Sequence, residues 1–109
     1  PLKVDIVRDR AALSRIVAGG TLESVYRLQI MNATEATQRY RISASGLDGL
    51  EVASEQEVDI GAAESRWVAV RLQIPYGSAP PGSHAIHFDI SALESGGKVA
   101  EKSIFLVPR

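Results

Sequence analysis

Apolar and polar residues alternate with a period of two along most of the chain. The clearest run ends at Ile74, where Val68, Val70 and Leu72 alternate with polar or small neighbours. Such alternation is typical of strands that bury one face. The last segment is mostly apolar, which predicts a strand buried on both faces or paired centrally. Seven candidate strands lie around residues 4–6, 26–31, 39–44, 52–60, 67–74, 85–90 and 103–107.

Turn-forming residues separate these segments. Asp48-Gly49 is a strong turn dipeptide, residues 75–82 hold three prolines and two glycines, and Gly96-Gly97 suits a hairpin. Short strands with turns between them predict an all-β fold, a seven-stranded antiparallel β-sandwich of immunoglobulin-like or fibronectin III-like type. The residues expected in its core are Tyr26, Leu28, Ile30, Ile42, Val68, Val70, Leu72, Ile86, Phe88 and Ile90.

One segment, Arg10–Val17, departs from the strand pattern. Leu13, Ile16 and Val17 have helical spacing, and Ala11-Ala12 favours a helix. A single helical turn and an irregular crossover between the first two strands explain this segment equally well.

Composition narrows the range of functions. The 109 residues suit one domain over 1–109. Lysine and arginine total 12 against 13 acidic residues, so the net charge of −1 argues against a nucleic-acid partner. The chain has no cysteine, which excludes disulfides, thiol nucleophiles and thiolate-bound zinc or iron–sulfur sites within it. We therefore expect no cofactor in these residues.

No set of residues predicts catalysis. His84 and His87 are three apart, which on a strand directs them to opposite faces and argues against a shared metal. Ser83, His84 and Asp89 lack the geometry of a nucleophile elbow. We expect a non-enzymatic domain in which His84, after the Pro80-Pro81-Gly82 turn, bonds backbone at a corner of the sandwich.

Two polar motifs favour structural interpretations. Acidic residues alternate at Glu55, Glu57 and Asp59, after Glu51. This pattern could form an acidic ligand face, but it better suits a charged, solvated edge strand. The tripeptide Asn32-Ala33-Thr34 matches the glycosylation acceptor, but a turn with Asn in left-handed geometry explains it more simply.

One face of the predicted sandwich carries residue types enriched in protein interfaces. If Val68 and its alternating partners point inward, then Arg27, Met31, Trp67 and Arg71 point outward together. These four form the candidate interaction face. The competing interpretation places Trp67 beneath Arg10–Val17 as part of a satellite core.

Several stretches, taken in order, carry a resemblance to a known family. They are Asp9-Arg10, Val25–Asn32 with Thr34, Tyr40–Ser43 with Gly46-Leu47 and Gly49-Leu50, Val70–Pro75, Pro81–Ile90, Glu101–Phe105 and Pro108-Arg109. Together they resemble the C-terminal immunoglobulin-like domain of the FixG/CcoG cytochrome c oxidase accessory proteins, and the similarity covers nearly the whole chain.

The resemblance implies a non-catalytic accessory module excised from the C-terminus of a longer membrane protein. Proteins of this family are membrane-bound polyferredoxins with [4Fe–4S] clusters, linked to assembly of cbb-type cytochrome oxidase. The resemblance also implies a protein partner, such as an oxidase assembly component, and a location on the periplasmic side of the bacterial inner membrane. The cluster-binding cysteines would lie outside these residues. An alternative is an adhesive or carbohydrate-binding sandwich of a secreted bacterial protein.

Overall fold

Two antiparallel sheets pack face to face in the computed structural model, which describes residues 2–8 and 13–109. The nine strands in these residues are β1 (Leu2–Arg8), β2 (Arg15–Val17), β3 (Thr21–Asn32), β4 (Gln38–Ser45), β5 (Glu51–Val52), β6 (Glu57–Ile60), β7 (Ser65–Pro75), β8 (Gly82–Ala92) and β9 (Lys98–Val107). One sheet has the order β1-β3-β7-β5 with β2 also paired to β3, and the other has the order β6-β4-β8-β9. The described residues contain no helix that could cross a membrane.

The core confirms the predicted inward faces. All ten residues expected inside are buried, and Tyr26 packs edge-on against Phe88 with ring centroids 5.0 Å apart. The Tyr26 hydroxyl donates to Ile104 O at 2.7 Å, which ties β3 to the opposite sheet. The prediction left out further buried residues, which are Leu22, Tyr40, Val58, Ile60, Ile74, Ala92, Phe105 and Val107.

The β-sandwich is confirmed, but nine strands replace the seven expected in the part of the chain that the structure describes. The predicted strand over 52–60 is two strands in different sheets, because the chain leaves β5 after Val52 and re-enters the fold as β6 at Glu57. The second additional strand is β2, which pairs with the start of β3. The first departure comes from a change of sheet, and the second from a three-residue strand within the five-stranded sheet.

The segment expected to be helical or irregular contributes strand β2 at its end. Ile16 pairs with Leu22, so residues 15–17 are extended, and residues 10–12 lie outside the described residues. Just before β2, the Ser14 amide donates to Leu106 O of the other sheet at 3.1 Å. The chain therefore bridges both sheets at this point, which the helical spacing did not predict.

Strand β9 corrects a second expectation. It pairs only with β8 among the described strands and is an edge of its sheet, so of the two alternatives, burial on both faces and central pairing, central pairing is wrong. Phe105 and Val107 point into the core. The outward Ile104 and Leu106 are half-buried rather than exposed. The bonds from Ser14 and Tyr26 to backbone carbonyls of β9 show that other elements reach this edge.

Candidate interaction face

The four residues predicted to share an outward face all lie on the exposed side of the five-stranded sheet. Strands β3 and β7 pair antiparallel, with Arg27 opposite Ala69, and Trp67 opposite Gln29. Their neighbours Leu28, Val68 and Val70 are buried on the other side. Strict alternation therefore brings Arg27, Met31, Trp67 and Arg71 to one surface.

Trp67 forms the centre of this surface. Its side chain is 50% exposed, so the alternative in which it forms a satellite core is wrong. The Arg27 guanidinium carbon lies 5.4 Å from the centroid of the Trp67 ring, within the range of a cation–π contact. Such a contact orders both side chains at a stabilisation of about 0.5–1 kcal/mol in an exposed setting.

Met31 extends the apolar surface on the other side of Trp67. Met31 pairs with Ser65, two residues along from the Gln29–Trp67 pair and on the same face of the sheet. Met31 is therefore a diagonal neighbour of the indole. Its side chain is 41% exposed. Arg27, Trp67 and Met31 thus form a contiguous group, here called the Trp67 face.

Arg71 lies on the same side of the sheet but has a different role. Its Nη1 donates to Glu23 Oε2 at 3.1 Å, and its Nη2 donates to Ala53 O. Glu23 is only 6% exposed and also accepts a 2.7 Å bond from Gln73. Arg71 therefore neutralises a buried carboxylate and holds the chain after β5, so its guanidinium is engaged within the domain.

The histidines behave as their spacing predicts. His84 lies on the core-facing side of β8, where Ile86 and Phe88 are buried, and His87 lies on the opposite side. His84 Nε2 donates to Pro80 O at 2.7 Å, four residues upstream, which confirms the expected bond to corner backbone. Within residues 2–8 and 13–109, no group of three His, Cys, Asp or Glu residues is placed to hold a metal ion.

The Asn32 tripeptide is built differently from the expected turn. Asn32 is fully buried and ends β3, and among described residues other than glycine only Ala63 has a positive φ. Asn32 Nδ2 donates to three carbonyls at 2.8–3.1 Å, and Oδ1 accepts from the Thr34 amide and hydroxyl. The prediction that Asn32 has a left-handed backbone conformation was therefore wrong. Hydrogen bonds from the Asn32 side chain stabilise the turn instead.

Two of the alternating acidic residues, Glu57 and Asp59, lie on β6, which is an edge strand of its sheet. Arg39 and Asp59 join at 2.9 Å, and Arg41 and Glu57 at 3.0 Å, across the β4–β6 pair. The bond from Arg39 holds the pKa of the Asp59 carboxyl below its usual value. The prediction of a charged edge is confirmed for Glu57 and Asp59. It is wrong for Glu55, which lies between β5 and β6, and Glu51 lies in the other sheet.

An apolar groove at one end of the sandwich was missed by the sequence analysis. It encloses about 530 Å³ between the 75–82 loop and the end of β9, and its wall includes Ile16, Tyr76 and Pro108. Ile16 and Tyr76 are 63% and 64% exposed. An aromatic residue inside a proline-rich loop was the available signal for this surface.

Comparison with known proteins agrees with this architecture. A FixG-related protein from Vibrio parahaemolyticus superposes with a TM-score of 0.85 at 20% identity, with 97% of this chain and 95% of that chain covered. The cupredoxin domain of amoB from Nitrosocaldus yellowstonii gives 0.58 at 13% identity, covering 83% and 57%. Escherichia coli alpha-2-macroglobulin gives 0.59 at 18% identity, covering 99% of this chain and 7% of that one. At these identities the likenesses show the fold alone.

Sequence comparison is more specific. No curated protein matches the chain. Residues 1–108 match a family described as "IG-like fold at C-terminal of FixG, putative oxidoreductase". The match spans every strand of both sheets, so the chain belongs to the family of FixG C-terminal immunoglobulin-like domains.

Proposed function

We propose that this domain is a non-catalytic interaction module of a FixG-like parent protein and that it captures a protein partner on the Trp67 face. The observation that carries the proposal is the half-exposed Trp67 with Arg27 stacked on it. Tryptophan and arginine are the residue types that most often dominate binding energy at protein interfaces. A patch fixed on two long, paired strands is also rigid before binding, which lowers the entropy cost of association.

The partner in this proposal is a component of cbb-type cytochrome oxidase assembly. The domain itself holds no cofactor, and the electron-carrying [4Fe–4S] clusters belong to other parts of a membrane-embedded parent. The domain works on the periplasmic side of the bacterial inner membrane. Attachment to the parent raises the effective concentration of the face, so a modest affinity is sufficient for capture. Membership of the FixG family favours this function over an adhesive or carbohydrate-binding module.

The test is a Trp67→Ala substitution in the full-length parent, expressed from its own gene. We expect the amount of assembled, haem-containing oxidase to fall several-fold while the parent accumulates normally. Tyr76→Ala is the matched control, because Tyr76 is also an exposed aromatic residue, but it lies at one end of the sandwich, away from the Trp67 face.

Wild-type oxidase levels in the Trp67→Ala strain would contradict the proposal. Loss of the parent protein itself would also count against it, because the exposed position of Trp67 predicts a change in unfolding free energy within about 1 kcal/mol.

A further inference from the structure

Strand β7 has an open hydrogen-bonding edge beside Trp67. On that side β5 pairs with β7 only at Glu51–Gln73 and Val52–Leu72. The Ala53 amide then donates to Arg71 O at 2.8 Å, and the Arg71 amide donates to Ser54 Oγ at 3.0 Å. Both backbone groups of Arg71 therefore face the β5 side of the sheet.

Alternate residues of a strand direct their backbone groups to the same side. The N–H and C=O groups of Trp67 and Ala69 thus face the β5 side as well, beyond the point where β5 has ended. No strand within residues 2–8 and 13–109 pairs with them there. Ala69 and Trp67 present two donors and two acceptors in the spacing that an added antiparallel strand requires.

Both ends of this open edge are defined. Ser54 closes one end at Arg71. At the other end, Arg66 Nη1 donates to Asp59 O at 3.1 Å and joins β7 to β6. Between them, the four residues from Trp67 to Val70 span about 13 Å of extended chain. The edge accommodates a short extended segment and excludes a long one.

The positive charge of Arg27, next to the open edge of β7, favours an acidic residue on any strand that pairs there. Ala69 pairs with Arg27 on its other side, so a residue added opposite Ala69 lies in line with Arg27 across a single methyl group. Arg27 is exposed and forms none of the three ion pairs found in the described part of the chain. A glutamate or aspartate on the added strand is long enough to meet the guanidinium over Ala69.

We infer that the β7 edge from Trp67 to Val70 is a strand-addition site for an extended partner segment with a carboxylate opposite Ala69 and a small or apolar residue opposite Trp67. This inference rests on the proposed function, because it specifies how a partner engages the Trp67 face. Main-chain bonds to Trp67 and Ala69 supply affinity, and Arg27 supplies selectivity for the acidic residue.

The probe is the acetylated and amidated tetrapeptide Val-Glu-Val-Ala, whose Glu lies opposite Ala69 and whose Ala lies opposite Trp67 in the antiparallel register. A second peptide has Lys in place of Glu. Amide hydrogen exchange by NMR follows each backbone position of the domain during titration. We expect the Trp67 and Ala69 amides to gain protection with the Glu peptide, and the Lys peptide to bind more weakly. Arg27→Gln is expected to remove the difference between the two peptides.

Ala69→Pro tests the edge directly. The substitution removes the Ala69 N–H that faces the open edge. No bond to β3 is lost, because the Ala69 amide faces away from β3. Proline is also tolerated on strand edges. We expect about a tenfold loss of affinity for the Glu peptide, the effect of one lost hydrogen bond. Ala69→Ser is the matched control, because it keeps the donor and a side chain small enough for the carboxylate to reach Arg27, so it should retain affinity.

Unchanged exchange at Trp67 and Ala69 in the wild-type domain at saturating peptide overturns the inference whatever the proline variant does. If oxidase assembly depends on Trp67 while the peptide gives no protection, the proposed function stands and strand addition is wrong. If the peptide binds this edge but Trp67→Ala leaves oxidase assembly intact, strand addition stands and the proposed function is wrong.

Discussion

Two arginines on one sheet face show how differently the same residue type is used. Arg27 stacks on the exposed Trp67, whereas Arg71 bonds the buried Glu23 and the backbone of Ala53. We predict that Arg71→Ala lowers the free energy of unfolding by about 1–2 kcal/mol, because it leaves a buried carboxylate short of a charged donor. Arg27→Ala should lower it by less, about 0.5–1 kcal/mol, which is the size of the exposed contact with Trp67.

Urea denaturation of both variants measures this contrast. Equal losses in the two variants would show that Glu23 does not depend on Arg71 and that the two arginines share one role.

Burial of Tyr40 predicts a weakness in alkali. Burial raises the pKa of the Tyr40 phenol above its ordinary 10.0. The folded chain therefore keeps a proton that the unfolded chain loses, so stability is complete below pH 10.0 and declines as pH rises above it. Tyr40→Phe should flatten this decline, as measured by urea denaturation across the alkaline range. A wild-type slope in the variant would assign the effect to other groups.

Periodicity predicted which side each residue faces but not which partner it finds there. It brought Arg71 to the right face, yet Glu23 could not be recognised as buried, because that depends on Arg71 and Gln73 arriving from another strand. Asn32 shows the same limit. Its five side-chain bonds join residues as far apart as Gly61, and no local pattern reports them.

At the scale of elements, Gly46 marks where β4 approaches β8. Its φ is +123°, and a Cβ there would lie 2.7 Å from Ala85 O and 2.9 Å from the Ile86 Cα. We predict that Gly46→Ala lowers the unfolding free energy by about 2 kcal/mol or more, because backbone atoms cannot yield as a flexible side chain can.

Gly77→Ala provides the control for this prediction. Gly77 also has a positive φ, of +78°, but nothing lies within 4 Å of its would-be Cβ. Gly77→Ala should lower the unfolding free energy by only about 1 kcal/mol, because it carries the penalty of the backbone conformation alone. Thermal unfolding of the two variants compares them, and equal costs would mean that the close approach to β8 is unimportant.

The strands with strong alternation were predicted well, and the weakly patterned ones were not. Val68–Ile74 alternates cleanly and proved to be most of β7, whereas the interval between β5 and β6 hides a change of sheet. The open edge of β7 is equally invisible in sequence, because it exists only where β5 stops short. Apolar content predicted either central pairing or burial on both faces for β9; the strand is an edge, and its outward Ile104 and Leu106 are half-buried.

For the whole molecule, stability depends on one continuous core between the sheets. Leu72 and Phe88 are fully buried and come from opposite sheets. Leu72→Ala or Phe88→Ala should each lower the unfolding free energy by about 2–5 kcal/mol through lost burial and cavity formation. Chemical denaturation provides the measurement. A loss below about 1 kcal/mol in either variant would show that the sheets tolerate a void at that position.

The position of Trp67 has a practical consequence, because it is the chain's only tryptophan. Half of its side chain is already in water and a guanidinium lies over the ring, so its fluorescence emission should be red-shifted and open to iodide quenching in the native state. Unfolding should therefore change the emission little, and the phenols of the buried Tyr26 and Tyr40 are the better spectroscopic reporters of the fold. A ligand that covers the indole should shift its emission to the blue and shield it from quencher, so the native chain carries its own label-free optical probe of occupancy.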